Sequence, residues 1–369
     1  MSQITLEQLT LLNYKNIEDA QLQFCPGINC LVGLNGQGKT NVLDAIYYLS
    51  FCKSRQANID SQNIKHDQEF FMIQGEYDLD SHKEEISCSV KRRQKKHFRR
   101  NKHEYERLSE HIGLLPLVLI SPNDISIIGE GSEERRRFMD SIISQYDKRY
   151  LQHLLIYNNA VQQRNALLKQ ETRPDESAME VYEDVMDAHA GYIFERRLAF
   201  IEQIVPRFQK FYDSIADNAE TVSLHYQSQL QNRNLRESLR QTRERDYILG
   251  WTSQGIHKDD LEMQLGEWPI KRVGSQGQQK TYLISLKFAQ FDFLQQTLGI
   301  KPILLLDDLF DKLDTHRMNQ IIRLVSSEQF GQIFITDTDR SHLLEALQQV
   351  QEEKKIFNVS EGHIEQTPC

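Results

Sequence analysis

Gly33-Leu34-Asn35-Gly36-Gln37-Gly38-Lys39-Thr40 fills every fixed position of the pattern G-x-x-x-x-G-K-[S/T]. Before it stands Ile28-Asn29-Cys30-Leu31-Val32, a mostly apolar run that reads as a buried strand. After it, Val42, Leu43, Ile46, Tyr47 and Leu49 recur at helical spacing over Thr40 to about Ser50. Strand, glycine-rich loop and helix together are the context in which this motif binds phosphate. Glycines let backbone N–H groups wrap phosphate oxygens, and the positive end of the helix dipole faces the anion. In that arrangement Lys39 reaches the β- and γ-phosphates and the Thr40 hydroxyl ligates Mg²⁺. A glycine-rich turn with an incidental lysine would need neither the strand nor the helix. ATP and Mg²⁺ are therefore the expected cofactors, with Gly33, Leu34, Asn35, Gly36, Gln37, Gly38, Lys39 and Thr40 as the binding loop.

Such a loop needs a second carboxylate to hold the metal, at the end of a neighbouring strand. Ile303-Leu304-Leu305-Leu306-Asp307-Asp308 supplies four apolar residues and then two acids. Asp307 is the expected magnesium ligand beside Thr40, and Asp308 the residue that orients the attacking water. Asp308 and Lys39 are the expected catalytic pair. Acids also cap helices, but the coexistence with the glycine loop favours the metal.

A third stretch, Gly274-Ser275-Gln276-Gly277-Gln278-Gln279-Lys280, precedes an apolar helical pattern from about Gln276 to Thr297. Ser275 is a good N-cap and Gly277 leaves the backbone open, so Ser275, Gly277 and Gln278 form another anion-ready helix start. One glycine loop already satisfies one nucleotide. The second reader implies either a second site or the γ-phosphate of a partner molecule's ATP.

Outward from these motifs the chain changes character. The first residues read as short strands around Ile4–Leu11, Ala20–Phe24, Phe70–Ile73, Glu85–Val90 and Pro116–Ile120. From Glu133 to about Lys169 apolar residues step by three or four, predicting one long amphipathic helix. A second follows, with Tyr182, Met186, Ile193, Phe200 and Ile204 on its stripe, and Pro206 is expected to end or kink it. After Gln241, Gly255–Leu265, Ile303–Leu306 and Ile333–Ile335 read as strands alternating with helices, the pattern of a parallel α/β core. The expected organisation is an ATPase head over 1–125 and 251–369, with a helical arm over 126–250.

At 369 residues the chain has room for two or three domains of about 150 residues. Its net charge of −9 excludes global attraction to nucleic acid, though not a local basic face. That face is offered by Lys91-Arg92-Arg93-Gln94-Lys95-Lys96-His97-Phe98-Arg99-Arg100-Asn101-Lys102. Arg92, Arg93, Lys95, Lys96, Arg99 and Arg100 are candidates for sequence-independent contact with DNA phosphates. A solvated hairpin edge is the competing reading. Five cysteines without a C-x-x-C pair predict reduced thiols, and no apolar run reaches membrane length. Met1–Thr5 lacks the marks of a signal peptide, so a cytoplasmic protein without membrane contact is expected.

Together the three motifs, in this order around a helical insertion, resemble the P-loop ATPase heads of the ABC/SMC class. Within that class the chain is similar to the RecF family of bacterial recombination mediators. Matching stretches include Asn13-Tyr14-Lys15-Asn16, Ser121-Pro122-Asn123-Asp124, Glu134–Asp140, Tyr157, Gln163-Arg164-Asn165 and Gly255–Leu261. The resemblance implies a slow, DNA-stimulated ATPase acting in recombinational DNA repair, DNA replication and the SOS response to DNA damage. It also implies an ATP-dependent homodimer in which Ser275 contacts the opposite ATP, and mediator partners of the RecR/RecO type that load recombinase at gaps. Departures fall at Asn123, where the family has an acid, and at Asp311-Lys312 after the acid pair; Thr336-Asp337-Thr338 stands where transport ATPases carry a histidine. An SMC-like ATPase of another DNA-processing or phage-defence system is the alternative, and it would need a further metal-binding domain. His257 with Asp259 and Asp260 makes a poor metal set, and a structural or nucleotide-facing role is expected.

Overall fold

The computed structural model describes residues 2–216, 220–231, 234–309, 315–325, 329–340, 343, 347 and 352–367. Two compact units divide the chain. One comprises Met1–Asp124, Phe211–Asp217 and Lys280–Cys369, the other Ile125–Lys210 and Asn218–Gln279.

The first unit holds two sheets. In the mainly parallel one the strands run in the order His363–Thr367, Lys354–Ser360, Ile28–Val32, Ile333–Asp337, Ile303–Leu306, Leu117–Ile120, with only the first pair antiparallel. Ile28–Val32, Ile303–Leu306 and Ile333–Asp337 are buried at every position, as strands covered on both faces must be. The other sheet is mainly antiparallel. It runs Ile300–Lys301, Ser2–Tyr14, Phe70–Leu79, His82–Lys91, His97–Arg100, His103–Glu104, with Ile17–Gln23 also paired to Ser2–Tyr14.

Helix Lys39–Phe51 is sunk in the core that these sheets share. Val42, Leu43, Ala45, Ile46, Tyr48 and Leu49 cluster with Leu6, Leu9, Leu11 and Ile73 of one sheet and Leu31, Leu305 and Phe334 of the other. Full burial of a large aliphatic side chain stabilises by about 1.5–3 kcal/mol, so this packing fixes the start of the helix firmly. Asp44 on its polar face is buried too. It accepts from Tyr14 Oη at 2.6 Å, Ser54 Oγ at 2.7 Å and the Arg55 N–H at 2.7 Å, and pairs with Lys15 at 2.6 Å.

The second unit is helical with a small sheet. The single helix expected over Glu133–Lys169 is two, Ser132–Tyr146 and Lys148–Leu168. Asp147 breaks it, with an extended backbone (φ −121°, ψ 93°) and a side chain that accepts from the Tyr150 N–H at 2.8 Å. Pro206 does not end the next helix, which runs continuously from Glu176 to Ala216. A proline in a helix interior costs about 3 kcal/mol. Phe200, Ile201, Ile204, Phe208, Phe211 and Tyr212 on the same helix are all buried, and their burial outweighs that cost.

Asp260–Leu265 does not join the parallel core either. It pairs antiparallel with Val222–Gln227 and with Trp268–Pro269 in a three-stranded sheet. Residues 251–279 accordingly group with the second unit, and 211–217 with the first. Two buried arginines organise this unit. Arg164 pairs with Glu183 at 3.1 Å and Asp246 at 2.8 Å, and Arg197 with Asp140 at 2.9 Å and Asp259 at 3.2 Å.

Candidate functional site

The glycine loop leaves the buried strand Ile28–Val32 and enters helix Lys39–Phe51. Gly36 and Gly38 have φ of 80° and 119°, backbone that side chains rarely adopt. At Gly33 the constraint is space, because an added Cβ would run into the Val359 carbonyl oxygen. Lys39 is almost fully buried, and its Nζ donates to Gly33 O at 2.6 Å and Leu34 O at 2.9 Å. Burial pulls its ammonium below the usual value, while Asp308, Asp307 and Asp337 favour the charge.

The acid pair is not on the strand beside the loop strand. Ile333–Asp337 lies between Ile28–Val32 and Ile303–Leu306. This order places Thr336, near the end of the intervening strand, between the two motifs. Asp307 Oδ1 accepts from Thr40 Oγ1 at 2.9 Å and from Thr336 Oγ1 at 2.8 Å. Thr336 Oγ1 in turn accepts from the Asp308 N–H at 2.9 Å. Burial raises the Asp307 carboxyl above its usual range, opposed by the two threonine hydroxyls and by Lys39. Asp308 sits at φ 46°, a left-handed conformation that an aspartate tolerates better than a branched residue.

Asn35, Gly36, Gly38, Lys39, Thr40, Asn41, Asp307, Asp308 and Thr336 line one pocket of about 120 Å³. It joins backbone N–H donors, a lysine, two hydroxyls and two carboxylates, the groups that phosphate and a hard cation require. Thr336 is the member that the sequence does not single out. It lies in the stretch Thr336-Asp337-Thr338, and only strand order shows what its hydroxyl does.

Ser275 belongs to the second unit and is exposed. Its Oγ accepts from the Gln278 N–H at 3.3 Å, and Gln278 Oε1 accepts from the Ser275 N–H at 2.8 Å, a reciprocal capping box. Gln278 Nε2 also donates to Glu220, and Gly277 is half-buried in the first turn of Gln276–Leu298.

The basic segment divides. Arg92, Arg93, Lys95 and Arg99 are exposed, with Arg93 at φ 61° in the turn between His82–Lys91 and His97–Arg100. Lys96 turns inward: Nζ donates to Cys52 O at 2.7 Å, pairs with Asp60 at 2.9 Å and lies over the Tyr48 ring. Arg100 donates to Glu84 through Nε at 2.8 Å and Nη2 at 2.6 Å. Both cations thus make ion pairs within the fold, Lys96 half-buried and Arg100 with part of its side chain still exposed.

His257 is bonded through both ring nitrogens within the second unit. Nδ1 meets Tyr157 Oη at 2.9 Å and Nε2 meets Thr252 O at 3.0 Å, and burial lowers its pKa to about 4. No group of three metal-ligating side chains occurs among the described residues. Asp124 is buried and accepts from the Ser121 N–H at 2.8 Å, with Lys287 at 3.1 Å, while Asn123 beside it is exposed. Asp311 and Lys312 lie outside the described residues. Cys25, Cys30, Cys52 and Cys88 are buried thiols outside any disulfide. Among the described residues, no helix is long and apolar enough to cross a membrane.

A glycine loop on a central parallel strand, an acid pair two strands along and an antiparallel sheet sharing the same core define a P-loop ATPase head of the ABC/SMC class. The family described as RecF/RecN/SMC N terminal domain matches residues 5–365. A protein named DNA replication and repair protein RecF from Phocaeicola vulgatus is 54% identical over 361 residues, covering 97% of each chain. Its namesake from Bacteroides thetaiotaomicron is 54% identical over 360 residues, covering 97% of this chain and 98% of the other. The chain belongs to the RecF family. A structure of the recombination mediator protein RecF with ATP superposes with a TM-score of 0.89 at 29% identity, over 99% of this chain and 98% of that one. The Smc head domain from Pyrococcus furiosus shares the fold, with a TM-score of 0.59 at 17% identity over 99% of this chain and 96% of that one.

Proposed function

We propose that this chain is an ATP-dependent DNA-binding protein of recombinational DNA repair and replication. It dimerises on ATP, is switched off by slow, DNA-stimulated hydrolysis to ADP and phosphate, and helps partners of the RecR/RecO type load recombinase at gapped DNA. The observation that carries the nucleotide is the hydrogen-bonded set Thr40–Asp307–Thr336 at the mouth of the glycine loop. The names of the relatives, and the RecFOR pathway to which the ATP-bound neighbour is assigned, support the setting in DNA repair.

In this reading the loop N–H groups and Lys39 hold the β- and γ-phosphates. Thr40 and Asp307 hold Mg²⁺, since a hydroxyl and a carboxylate suit a hard cation, and the metal neutralises charge on the phosphates. Thr336 keeps Asp307 aimed, and Asp308 orients the attacking water. Ser275, with the N–H groups near Gly277 and Gln278, reads the γ-phosphate of the partner's ATP across a two-fold interface.

The test compares ATP with ADP by sedimentation with Mg²⁺, alongside retention on duplex DNA. ATP alone should dimerise the protein and hold it on DNA. Ser275→Arg should stop that dimerisation while monomer ATP affinity stays near wild type. Loss of the cap costs about 1 kcal/mol, too little to unfold the unit. A Ser275→Arg protein that still dimerises with ATP sinks the trans-acting role.

Arg92, Arg93, Lys95 and Arg99 carry the exposed positive charge of the segment, and reversing all four to Glu should weaken DNA binding regardless of sequence. The slope of log affinity against log salt should flatten by about 0.9 for each phosphate that is no longer neutralised. ATP binding without DNA should not change. Wild-type affinity and slope would show the hairpin to be only a solvated edge.

A further inference from the structure

The tip of the glycine loop is gripped from two sides by turns far away in the chain. Gln37 O accepts from Asn16 Nδ2 at 3.0 Å and from the Gly362 N–H at 2.9 Å. Gln37 Oε1 accepts from the Glu361 N–H at 2.5 Å. The Gln37 carbonyl is thus bonded twice and its side chain once, with every donor from outside the loop.

The first turn joins Ser2–Tyr14 to Ile17–Gln23 in the antiparallel sheet. Asn16 there also accepts from Asn41 Nδ2 at 2.7 Å, tying the loop tip to the first turn of the helix that follows. An added Cβ on Gly38 would lie 2.9 Å from Asn16 Oδ1, so the amide fills the space that this glycine leaves open.

The second turn closes the hairpin of Lys354–Ser360 and His363–Thr367, where Ser360 pairs with His363. Glu361 and Gly362 have φ of 51° and 83°, the two left-handed residues of a tight hairpin turn. The two turns also touch: a Cβ on Gly362 would collide with the Asn16 carbonyl oxygen.

Phosphate binding by a loop depends on backbone N–H groups already aimed at one point, because ordering them on binding would cost affinity. We infer that Asn16 and the Glu361–Gly362 turn form a clamp that holds the glycine loop in its phosphate-binding shape through Gln37. They are positioning residues for ATP. The inference rests on the nucleotide reading of the pocket. It adds a dependence of ATP affinity on a hairpin more than three hundred residues from the loop in sequence.

The test is calorimetric titration of the full chain with ATP and Mg²⁺, well below the melting temperature, which is recorded for each variant. Asn16→Ala and Gly362→Val should each raise the ATP dissociation constant about five- to tenfold, the weight of one or two hydrogen bonds. Lys39→Ala separates the two readings. If it binds ATP normally, the pocket is not a nucleotide site and the clamp falls with it. If it loses ATP while Asn16→Ala and Gly362→Val keep wild-type affinity, the nucleotide site stands and the clamp is overturned. A lowered melting temperature without a change in affinity also overturns it, and Asn16→Ala decides alone should Gly362→Val fail to fold.

Discussion

Lys39→Ala should leave a folded protein that no longer binds ATP at micromolar nucleotide. Nζ donates to two loop carbonyls, Gly33 O and Leu34 O, and to no group of the apolar core. Losing it therefore costs the fold about the worth of two ordinary hydrogen bonds, roughly 1–3 kcal/mol. The nucleotide loses more in proportion. A charge-assisted hydrogen bond contributes about 1.5–3 kcal/mol, a factor of roughly 10 to 150 in affinity. Among the described residues, Lys39 is also the only cationic side chain lining the pocket. Calorimetric titration with ATP and Mg²⁺ measures this directly, and circular dichroism checks the fold. Wild-type ATP affinity in Lys39→Ala would remove the assignment of the loop.

The second large effect falls on stability. Arg164→Met should destabilise the helical unit by about 3–5 kcal/mol, because it strands two buried carboxylates, Glu183 and Asp246. Arg164, Glu183 and Asp246 are essentially inaccessible to solvent. Glu183 keeps Arg243 at 2.6 Å and Asp246 keeps the Ser253 hydroxyl at 2.5 Å, so the loss is partial rather than complete. Both tryptophans of the chain, Trp251 and Trp268, belong to this unit, which makes tryptophan fluorescence in a urea titration its own reporter. A midpoint shift worth less than about 1 kcal/mol would show that the remaining partners satisfy the acids.

In the sequence Arg164 is only the middle of Gln163-Arg164-Asn165, with no reason for its place. The structure supplies one. An arginine inside a helical stripe looks like a solvated charge unless its partners are known, and Glu183 and Asp246 lie 19 and 82 residues away. The basic segment shows the same limit from the other side. Eight cations in twelve residues read as one patch, yet Lys96 and Arg100 are spent on Asp60 and Glu84. Alternation along a hairpin edge places neighbouring cations on different faces, and composition does not show which face is covered. The strand Val222–Gln227 is hidden for another reason. It lies between helices, and its partner Asp260–Leu265 is over thirty residues further on.

The sequence alone determined the glycine loop with its strand and helix, the buried acid-bearing strand, the helix start at Ser275 and the class these define. Each of those signals is local. Glycine positions, a capping residue or a short apolar run act over a few residues, and the backbone chemistry they impose does not depend on the rest of the chain. Tertiary structure alone decided the strand order that sets Ile333–Asp337 between the two motifs and so brings Thr336 onto Asp307. It also decided that Asp260–Leu265 pairs in the helical unit, and that turns at Asn16 and Glu361–Gly362 meet on Gln37. Those outcomes depend on which hydrophobic faces find each other across tens to hundreds of residues. Burial is non-directional, so many pairings satisfy the same apolar pattern, and only the packed chain selects one of them.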